Sequence, residues 1–339
     1  MSMKRDIIES DRARAPSSAY AVVIIGRNEG DRLRRSIESV QDGARTIVYV
    51  DSGSTDGSVE MARSKGANVV SIDMSIPFTA ARARNAGFAR LVALGHAPPF
   101  VQFVDGDCEV LPGWLDKAQD FLERHPDVAA LCGGLRERYP HRSVYNLLCD
   151  MEWRAPAGET RSTGGNAMLR SAALSAAGGY REDLIAGEEP ELCVRLRQAG
   201  WKIWRLSDEM ALHDAAMTSF GQWWKRTRRS GHAAAEGAAL HGKPPEWHNV
   251  AQLTRSILWG AVLPLVIIGL SLAQPVWSLL LLAYPLQVLR LCVRSGVDRR
   301  EVWLRSGFLV LGRFPEALGA MTYWFNRLRR RQGKIMEYK

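Results

Sequence analysis

The sequence predicts an α/β protein with a Rossmann-like, mostly parallel sheet, followed by a C-terminal helical region that associates with a membrane. Two patterns support this prediction. Between residues 20 and 108, short apolar runs alternate with amphipathic helical stretches, which is typical of strand–helix–strand units. Near the C-terminus, residues 256–289 contain no charged residue, and this length is sufficient for two short membrane helices.

Composition narrows the class of protein further. The chain has 339 residues, 46% of them hydrophobic, and a net charge of +9, which favours anionic partners such as nucleotides or an acidic membrane surface. Nucleic acid is a poor candidate for a partner, since no recognised nucleic-acid motif is present and the basic residues are not interleaved with aromatic ones. The five cysteines lack Cys-x-x-Cys spacing and indicate reduced thiols in the cytoplasm. Residues 1–18 have no apolar signal region and are predicted to be a disordered tail.

The predicted strands of the first half carry acidic residues after their ends. Apolar runs predict strands at residues 21–25, 46–50, 68–72 and 100–104. Glu29, Asp51 and Asp105 follow the first, second and fourth of these, so the three carboxylates should converge at one sheet edge, where ligands of α/β proteins gather. There Asp51 could accept the N–H of a uracil-like base, and Arg84 could neutralise a diphosphate. A Gly-x-Gly-x-x-Gly or Walker loop is absent, which argues against an NAD-dependent oxidoreductase or a P-loop ATPase.

The stretch Asp105-Gly106-Asp107 is the candidate metal and substrate site. Side chains two residues apart on an extended segment point the same way, so both carboxylates can face one ligand. Gly106 would let a phosphate or sugar approach the backbone closely. Two oxygen donors at this spacing suit Mg²⁺ or Mn²⁺ shared with substrate phosphates. Its place at a strand end distinguishes this stretch from an ordinary Asp-Gly turn.

The second half adds further candidates. The loop around Asn166 is glycine-rich and is expected to let substrate near the backbone. Pro190 is expected at the first helical position, which would place Glu189 near the N-cap, where the helix dipole favours an ionised carboxylate able to accept a proton. His213 is a candidate metal ligand, with a structural role as the alternative. Further strands are predicted at 129–135 and 202–206 and helices at 114–125 and 144–154.

The C-terminal part is predicted to bind the membrane. Helices at 255–273 and 276–294 would form a hairpin hinged at Gln274-Pro275, and the basic flanks at both outer ends predict a cytoplasmic catalytic domain at the inner membrane. The alternative is a buried helical hairpin in a soluble protein. Residues 301–325 are interrupted by charges and predict an interfacial helix instead of a third span, with the basic tail against anionic lipid heads. Trp223 and Trp224 fit either a helix on the membrane surface or a sugar or lipid acceptor site.

Residues 20–215 resemble the family 2 glycosyltransferases, which have the nucleotide-sugar-binding GT-A fold. The resemblance rests on six short motifs in the family's order: residues 23–29, 50–56, 83–87, 105–107, 165–168 and 187–189. It implies that Asp51 and Arg84 bind the nucleotide and that Asp105 and Asp107 hold the nucleotide and a divalent metal on the diphosphate. It also implies an inverting displacement at the sugar, with one acidic residue as the base.

One departure from the family's pattern concerns the base. The family usually has Glu-Asp where this chain has Glu188-Glu189, so Glu189 takes the place of the catalytic aspartate. Glu188 is expected to support the loop and to contact the donor or the acceptor. The Gln-x-x-Arg-Trp signature of processive synthases is absent, which predicts one sugar addition per encounter. Membrane attachment suggests a lipid-linked acceptor, as in exopolysaccharide or cell-envelope glycan assembly.

Two alternatives come from other classes of protein. A sugar nucleotidyltransferase should carry a glycine- and arginine-rich loop after the first strand, and residues 26–29 do not fit that pattern. A catalytically silent membrane protein that only binds nucleotide sugar would share most of the motifs. The predicted boundaries are a catalytic domain at 19–215, a membrane-proximal segment at 216–250, a transmembrane hairpin at 251–294 and an interfacial helix with a basic tail at 295–339.

Overall fold

The computed structural model describes residues 19–329 except 45, 96, 97 and 298. The predicted disordered tail and the last part of the basic tail lie outside the described residues. Within them, a nine-stranded sheet is flanked by helices, and a C-terminal group of helices packs beside it. The predicted α/β class with a following helical region is therefore confirmed.

The first half of the sheet is parallel, as predicted. Its strands are β1 (Tyr20–Gly26), β2 (Ile47–Asp51), β3 (Asn68–Ser71) and β4 (Phe100–Asp105), connected by α1 (Asp31–Glu38), α2 (Ser58–Ser64) and α3 (Ala80–Ala93). They lie in the order β3-β2-β1-β4. The register pairs Gly26 with Asp51 and Ile25 with Asp105, so both carboxylates lie at the same sheet edge.

The second half makes the sheet mixed. Its elements are β5 (Cys108–Val110), α4 (Trp114–Arg124), β6 (Val128–Glu137), α5 (Val144–Trp153), β7 (Gly158–Glu159), β8 (Ala167–Arg170), α6 (Ser171–Ala176), α7 (Glu188–Gln198) and β9 (Lys202–His213). Strand β8 runs antiparallel between β4 and β6. Strand β9 is longer than the predicted 202–206 because it pairs along β6 and then also with β5, through register shifts that bend it.

The apolar C-terminal hairpin is confirmed as two long exposed helices. It follows α8 (Phe220–His241) and consists of α9 (Val250–Ile257), a π-helical turn (Leu258–Val262) and α10 (Leu263–Ala273), then a 3₁₀ segment (Pro275–Leu282) and α11 (Ala283–Ser295). Among the described residues, Val250–Ala273 and Pro275–Ser295 are long and apolar enough to cross a membrane, and both are mostly exposed.

The single interfacial helix predicted at 301–325 is in fact two helices, α12 (Arg300–Leu311) and α13 (Arg313–Leu328). Pro315 has no backbone N–H, so it cannot continue the helical hydrogen bonding to the carbonyl of Leu311, and the helix breaks at Gly312. Neither helix is among the candidate membrane spans found in the described residues.

Helix α13 fastens the hairpin to the rest of the protein. A Cβ placed on Gly231 of α8 would lie 2.0 Å from the Glu316 carbonyl oxygen of α13, and one on Gly319 would lie 1.9 Å from the Arg228 carbonyl oxygen. Gly260 of the hairpin meets α13 in the same way, 2.0 Å from the Arg313 carbonyl oxygen. Such backbone contacts allow only glycine, so the three elements are packed as closely as helices can be.

Candidate active site

A buried arginine surrounded by three carboxylates lies at the edge of the sheet. Arg84 of α3 is 2% exposed. One of its terminal nitrogens is 2.8 Å from Glu188 Oε1, and the other is 2.9 Å from Asp105 Oδ1 and 3.0 Å from Glu189 Oε1. Its guanidinium also lies over the ring of Tyr180, at 5.6 Å from the centroid. The three carboxylates come from the end of β4 and the start of α7, so Arg84 joins these elements.

The glycine-rich loop before β8 covers this cluster. A Cβ on Gly165 would lie 2.4 Å from an Arg84 nitrogen and 2.5 Å from an Asp105 oxygen, so only glycine fits there. The Asn166 side chain accepts a hydrogen bond from the Asp105 backbone N–H at 3.1 Å, and its amide lies 3.3 Å from the Cys108 sulfur. The space beside Gly165, where the sequence predicted an approach of substrate to the backbone, is thus occupied by Arg84 and Asp105. A contact of Asn166 with donor or acceptor stays a prediction.

The structure brings Asp107 and His213 together. Strand register places His213 opposite Cys108, directly after Asp107, and His213 Nε2 lies 3.4 Å from Asp107 Oδ2. Candidate ligand atoms of Asp107, Cys108 and His213 lie within 4.8 Å of one another. An oxygen and an imidazole nitrogen fit Mn²⁺. Burial raises the pKa of the Cys108 thiol well above its usual value, so the thiolate that would bind a metal is disfavoured.

Asp105 and Asp107 have different partners within the protein. The chain leaves the strand at Asp105 and turns through Gly106, so Asp105 points to Arg84 while Asp107 points to His213. The extended alternation expected of this segment is thus interrupted by a turn, and the binding of one ligand by both carboxylates stays a prediction. The separate roles predicted for the two residues, nucleotide contact for Asp105 and metal ligation for Asp107, are compatible with this geometry.

Asp51 already has several hydrogen-bond donors. It is 3% exposed and accepts from the Tyr49 hydroxyl and from the N–H groups of Gly53 and Ser54 at 3.0 to 3.3 Å. It therefore caps the turn after β2, with two of these hydrogen bonds at each carboxylate oxygen. Asn28, in the loop after β1, accepts from the Thr55 N–H at 2.8 Å and ties the two loops together.

Glu29 lies beside the turn between the two aspartates. Its Cγ would be 3.3 Å from a Cβ placed on Gly106, and its carboxylate pairs with Arg32 at 2.8 Å. Nucleotide contacts by Glu29, Asp51 and Arg84 stay predictions.

Glu189 lies in the first turn of α7, with Gly187 as the N-cap. The helix thus begins two residues earlier than predicted, and Pro190 is its third residue. Proline is compatible with that place because the first N–H groups of a helix have no partner within it. Burial, together with the neighbouring Glu188, raises the pKa of Glu189 to about 7, although Arg84 opposes this shift. The helix dipole was expected to favour the charged form, and burial outweighs it.

Two adjoining cavities meet at this cluster. The larger, about 640 Å³, is lined by Glu189, by α8 and by α12 and α13. The smaller, about 320 Å³, is lined by Asp105, Asn166 and His213. Both cavities include Gly164 and the ion pair between Glu152 and Arg226 in their walls. Because the two cavities share these walls, a molecule bound in one cavity would lie next to a molecule bound in the other.

The two tryptophans differ in their surroundings. Trp223 is 6% exposed and packs edge-on against Phe308 of α12 at 4.9 Å, while lining the larger cavity. Trp224 is partly exposed and packs around the same cluster without lining that cavity. The geometry fits an acceptor contact for Trp223 better than for Trp224, and both contacts stay predictions.

Sequence reasoning missed two residues at this site. Glu137, at the end of β6, is 4% exposed, lies 3.6 Å from His213 Nδ1 and accepts from Asn146 and the Ala215 N–H. Arg226 forms the ion pair that both cavities share. Both residues reach the site through contacts between elements that are far apart in the sequence. The signal for Glu137 in the sequence was its position as a carboxylate near the end of a predicted strand.

Comparison with known proteins agrees with this geometry. Residues 21–172 match the family described as glycosyl transferase family 2. The chain is 30% identical to a pre-mycofactocin glycosyltransferase of Mycobacterium tuberculosis, over 65% of this chain and 47% of that protein, so it spans about half that relative's length. It is 22% identical to the glycosyltransferase AglE of Haloferax volcanii, over 62% and 71%. Its fold is similar to that of the mannosyltransferase PcManGT of Pyrobaculum calidifontis, solved with GDP-Man and Mn²⁺, with a TM-score of 0.58 at 19% identity over 89% and 87%.

The mixed sheet with carboxylates at its edge has the GT-A fold. The similarity to glycosyl transferase family 2 lies in residues 21–172, which contain β1 to β4 and Arg84. The predicted fold is thereby confirmed, and the similarity supports the predicted kind of enzyme, a glycosyltransferase.

Proposed function

We propose that this protein transfers a sugar, with inversion, from a nucleotide-sugar donor to a hydroxyl group of a lipid-linked saccharide. The observation that carries the proposal is the position of Glu189. Its carboxylate lies 3.0 Å from Arg84, beside Asp105, and faces the larger cavity. A carboxylate whose pKa is about 7 is well matched to take a proton from an attacking hydroxyl near neutral pH.

The two cavities fit the two substrates of such a transfer. We assign the smaller one, with Asp105 and His213 in its wall, to the sugar and diphosphate of the donor. We assign the larger one, with Glu189 and Trp223, to the acceptor. Asp107 and His213 would hold Mg²⁺ or Mn²⁺, which when bound would neutralise charge on the departing nucleoside diphosphate. Asp51 suits the N–H edge of uracil, and guanine also carries N–H donors, so its carboxylate fits either base.

Donor turnover tests the reaction and its dependence on metal. We expect the purified protein to release nucleoside diphosphate from one member of a panel of UDP- and GDP-sugars. EDTA should stop release and added Mn²⁺ should restore it, because Asp107 and His213 supply oxygen and nitrogen ligands. Asp107→Asn should need more Mn²⁺ for half-maximal rate, whereas Asp120→Asn, at an exposed helix position, should not. Full activity in excess EDTA would contradict a metal-assisted reaction, and no release from any donor would favour a silent binding protein.

The apolar hairpin supports a membrane location. Its exposed surface includes Leu265, Leu272 and Leu286, at 68, 84 and 62% exposure, which would be costly in water. Arginines flank its two outer ends, while Gln274 at the hinge has no charged neighbour. We therefore place the hinge across the inner membrane and the catalytic domain in the cytoplasm.

Cysteine labelling in intact spheroplasts tests this topology. A membrane-impermeant maleimide should label Gln274→Cys from outside and leave Ser295→Cys unlabelled until the cells are lysed. The five native cysteines are buried and should contribute little background. Labelling of Ser295→Cys from outside would reverse the orientation, and labelling of neither hinge nor flank without denaturant would indicate a buried hairpin.

A further inference from the structure

A separate cavity of about 320 Å³ lies beside the outer end of the hairpin, and we call it the arginine cavity. It is lined by Arg255, Trp259, Gln287, Arg290, Leu291, Arg294, Leu309, Val310 and Arg313. Four of these nine side chains are arginines, and none is acidic. The cavity adjoins the larger active-site cavity, and its arginines have no role in the proton transfer or the donor binding proposed above.

Three of the four arginines have no anionic partner in the described part of the chain. Arg313 pairs with Glu316 at 2.7 Å. No ion pair with a described residue is found for Arg255, Arg290 or Arg294, all of which are exposed. Like charges gathered around one cavity repel one another, so an anion bound among them would stabilise the arrangement. Guanidinium groups are the side chains best suited to grip phosphate oxygens in pairs.

The position of the cavity selects a lipid as the source of that phosphate. At about 1.5 Å per residue, the helical run from Arg255 to Gln274 rises roughly 28 Å, close to the ~30 Å thickness of the hydrocarbon core. A hinge at one face of the membrane therefore places Arg255 at the opposite headgroup layer. Trp259 belongs to the same wall, and tryptophan is enriched at that depth.

The arginine cavity is also adjacent to the acceptor side of the active site. Leu309 and Arg313 line both this cavity and the larger active-site cavity. A lipid held by its phosphate here would thus extend its attached group toward the cavity that contains Glu189. Basic pockets beside membrane helices on the cytoplasmic side are known to take phosphorylated lipid heads.

We propose that the arginine cavity binds the phosphate or diphosphate group of a membrane lipid. The membrane location of the hairpin, which the proposed function also assumes, is the premise of this inference. The ligand is either the phosphate linkage of a lipid-linked acceptor or the headgroup of a bulk anionic phospholipid. The two sources share the chemistry that the arginines recognise and are separated below.

Binding by the full chain in dodecyl maltoside tests the proposal without any transfer reaction. The probes are farnesyl diphosphate, dioleoyl phosphatidylglycerol and inorganic pyrophosphate, measured by microscale thermophoresis. In the variant Arg290→Gln/Arg294→Gln, binding of at least one lipid probe should weaken tenfold or more. The matched control is Arg299→Gln/Arg300→Gln, which removes the same charge from the same flank but lies outside the cavity. The control should bind as the wild type does.

The relative affinities of the three probes and the two variants decide whether the cavity binds a lipid phosphate and which lipid supplies it. Tighter binding of farnesyl diphosphate than of phosphatidylglycerol identifies an acceptor-type diphosphate, and equal binding identifies bulk phospholipid; both support the proposal. Equal losses in the two variants would show diffuse attraction and overturn it, as would no loss in either. Pyrophosphate binding as tight as that of both lipids would overturn the assignment to a lipid. Donor hydrolysis should be unchanged in both variants, so failure here is distinguishable from failure of the proposed glycosyl transfer.

Discussion

Replacing Glu189 with Gln should lower the turnover number by roughly 10²–10⁴-fold, the usual contribution of a general base. Glutamine keeps the size of the side chain and an oxygen beside Arg84 but cannot take the proton of the acceptor hydroxyl. Donor affinity should change little, because the residues assigned to the nucleotide and metal are untouched. Steady-state kinetics with the preferred donor would measure both quantities.

The pH profile gives the same prediction a second readout. Glu189 must be deprotonated to act, and its pKa is raised to about 7, so kcat/KM should rise as the pH rises through about 7. This limb should vanish in Glu189→Gln. Glu188→Gln is the matched control, since Glu188 is 3% exposed and pairs with Arg84 without facing the acceptor cavity. If Glu188→Gln is inactive and Glu189→Gln is active, the two roles are exchanged.

Replacing Arg84 with Met should strongly destabilise the catalytic domain. The substitution keeps a long side chain but leaves Asp105, Glu188 and Glu189 without their shared positive charge. Removing one partner of a buried ion pair costs about 3–5 kcal/mol. We expect a large fall in the midpoint of thermal unfolding, measured in detergent, and a smaller fall at pH 5, where protonation relieves the repulsion among the carboxylates.

Arg90→Met provides the control for this prediction. Arg90 lies on the same helix, is exposed, and takes no part in the cluster. Its replacement should leave the unfolding midpoint nearly unchanged. An Arg84→Met protein as stable as the Arg90→Met protein would show that the cluster is not needed for folding, and that Arg84 serves substrate binding alone.

Much of the fold followed from local patterns. The apolar runs placed β1 to β4 to within a few residues, and their parallel order followed from the intervening helices. The antiparallel insertion of β8 between β4 and β6 could not be predicted, because strand partners far apart in sequence leave no periodicity. The length of β9 was underestimated for the same reason.

The candidate site was likewise predictable only in part. The types of residue at the strand ends predicted a carboxylate-rich edge, and the pairing of Asp107 with His213 agrees with that expectation. The ion pair of Asp105 with Arg84 was not predicted, because the direction of the Asp105 side chain depends on where the chain leaves the strand. The enclosure of Arg84 by three carboxylates depends on the approach of α7 to α3, which no short motif encodes.

The glycine contacts of α13 have a consequence for which acceptors can react. Helix α13 is held against α8 on one side and against the hairpin on the other with no room for sliding. With the hairpin embedded as proposed, the catalytic cleft stands at a fixed height above the bilayer. Acceptor length would then decide which glycans react. A glycan too short to reach Glu189, or long enough to pass beyond it, would not be a substrate, whatever its sugars.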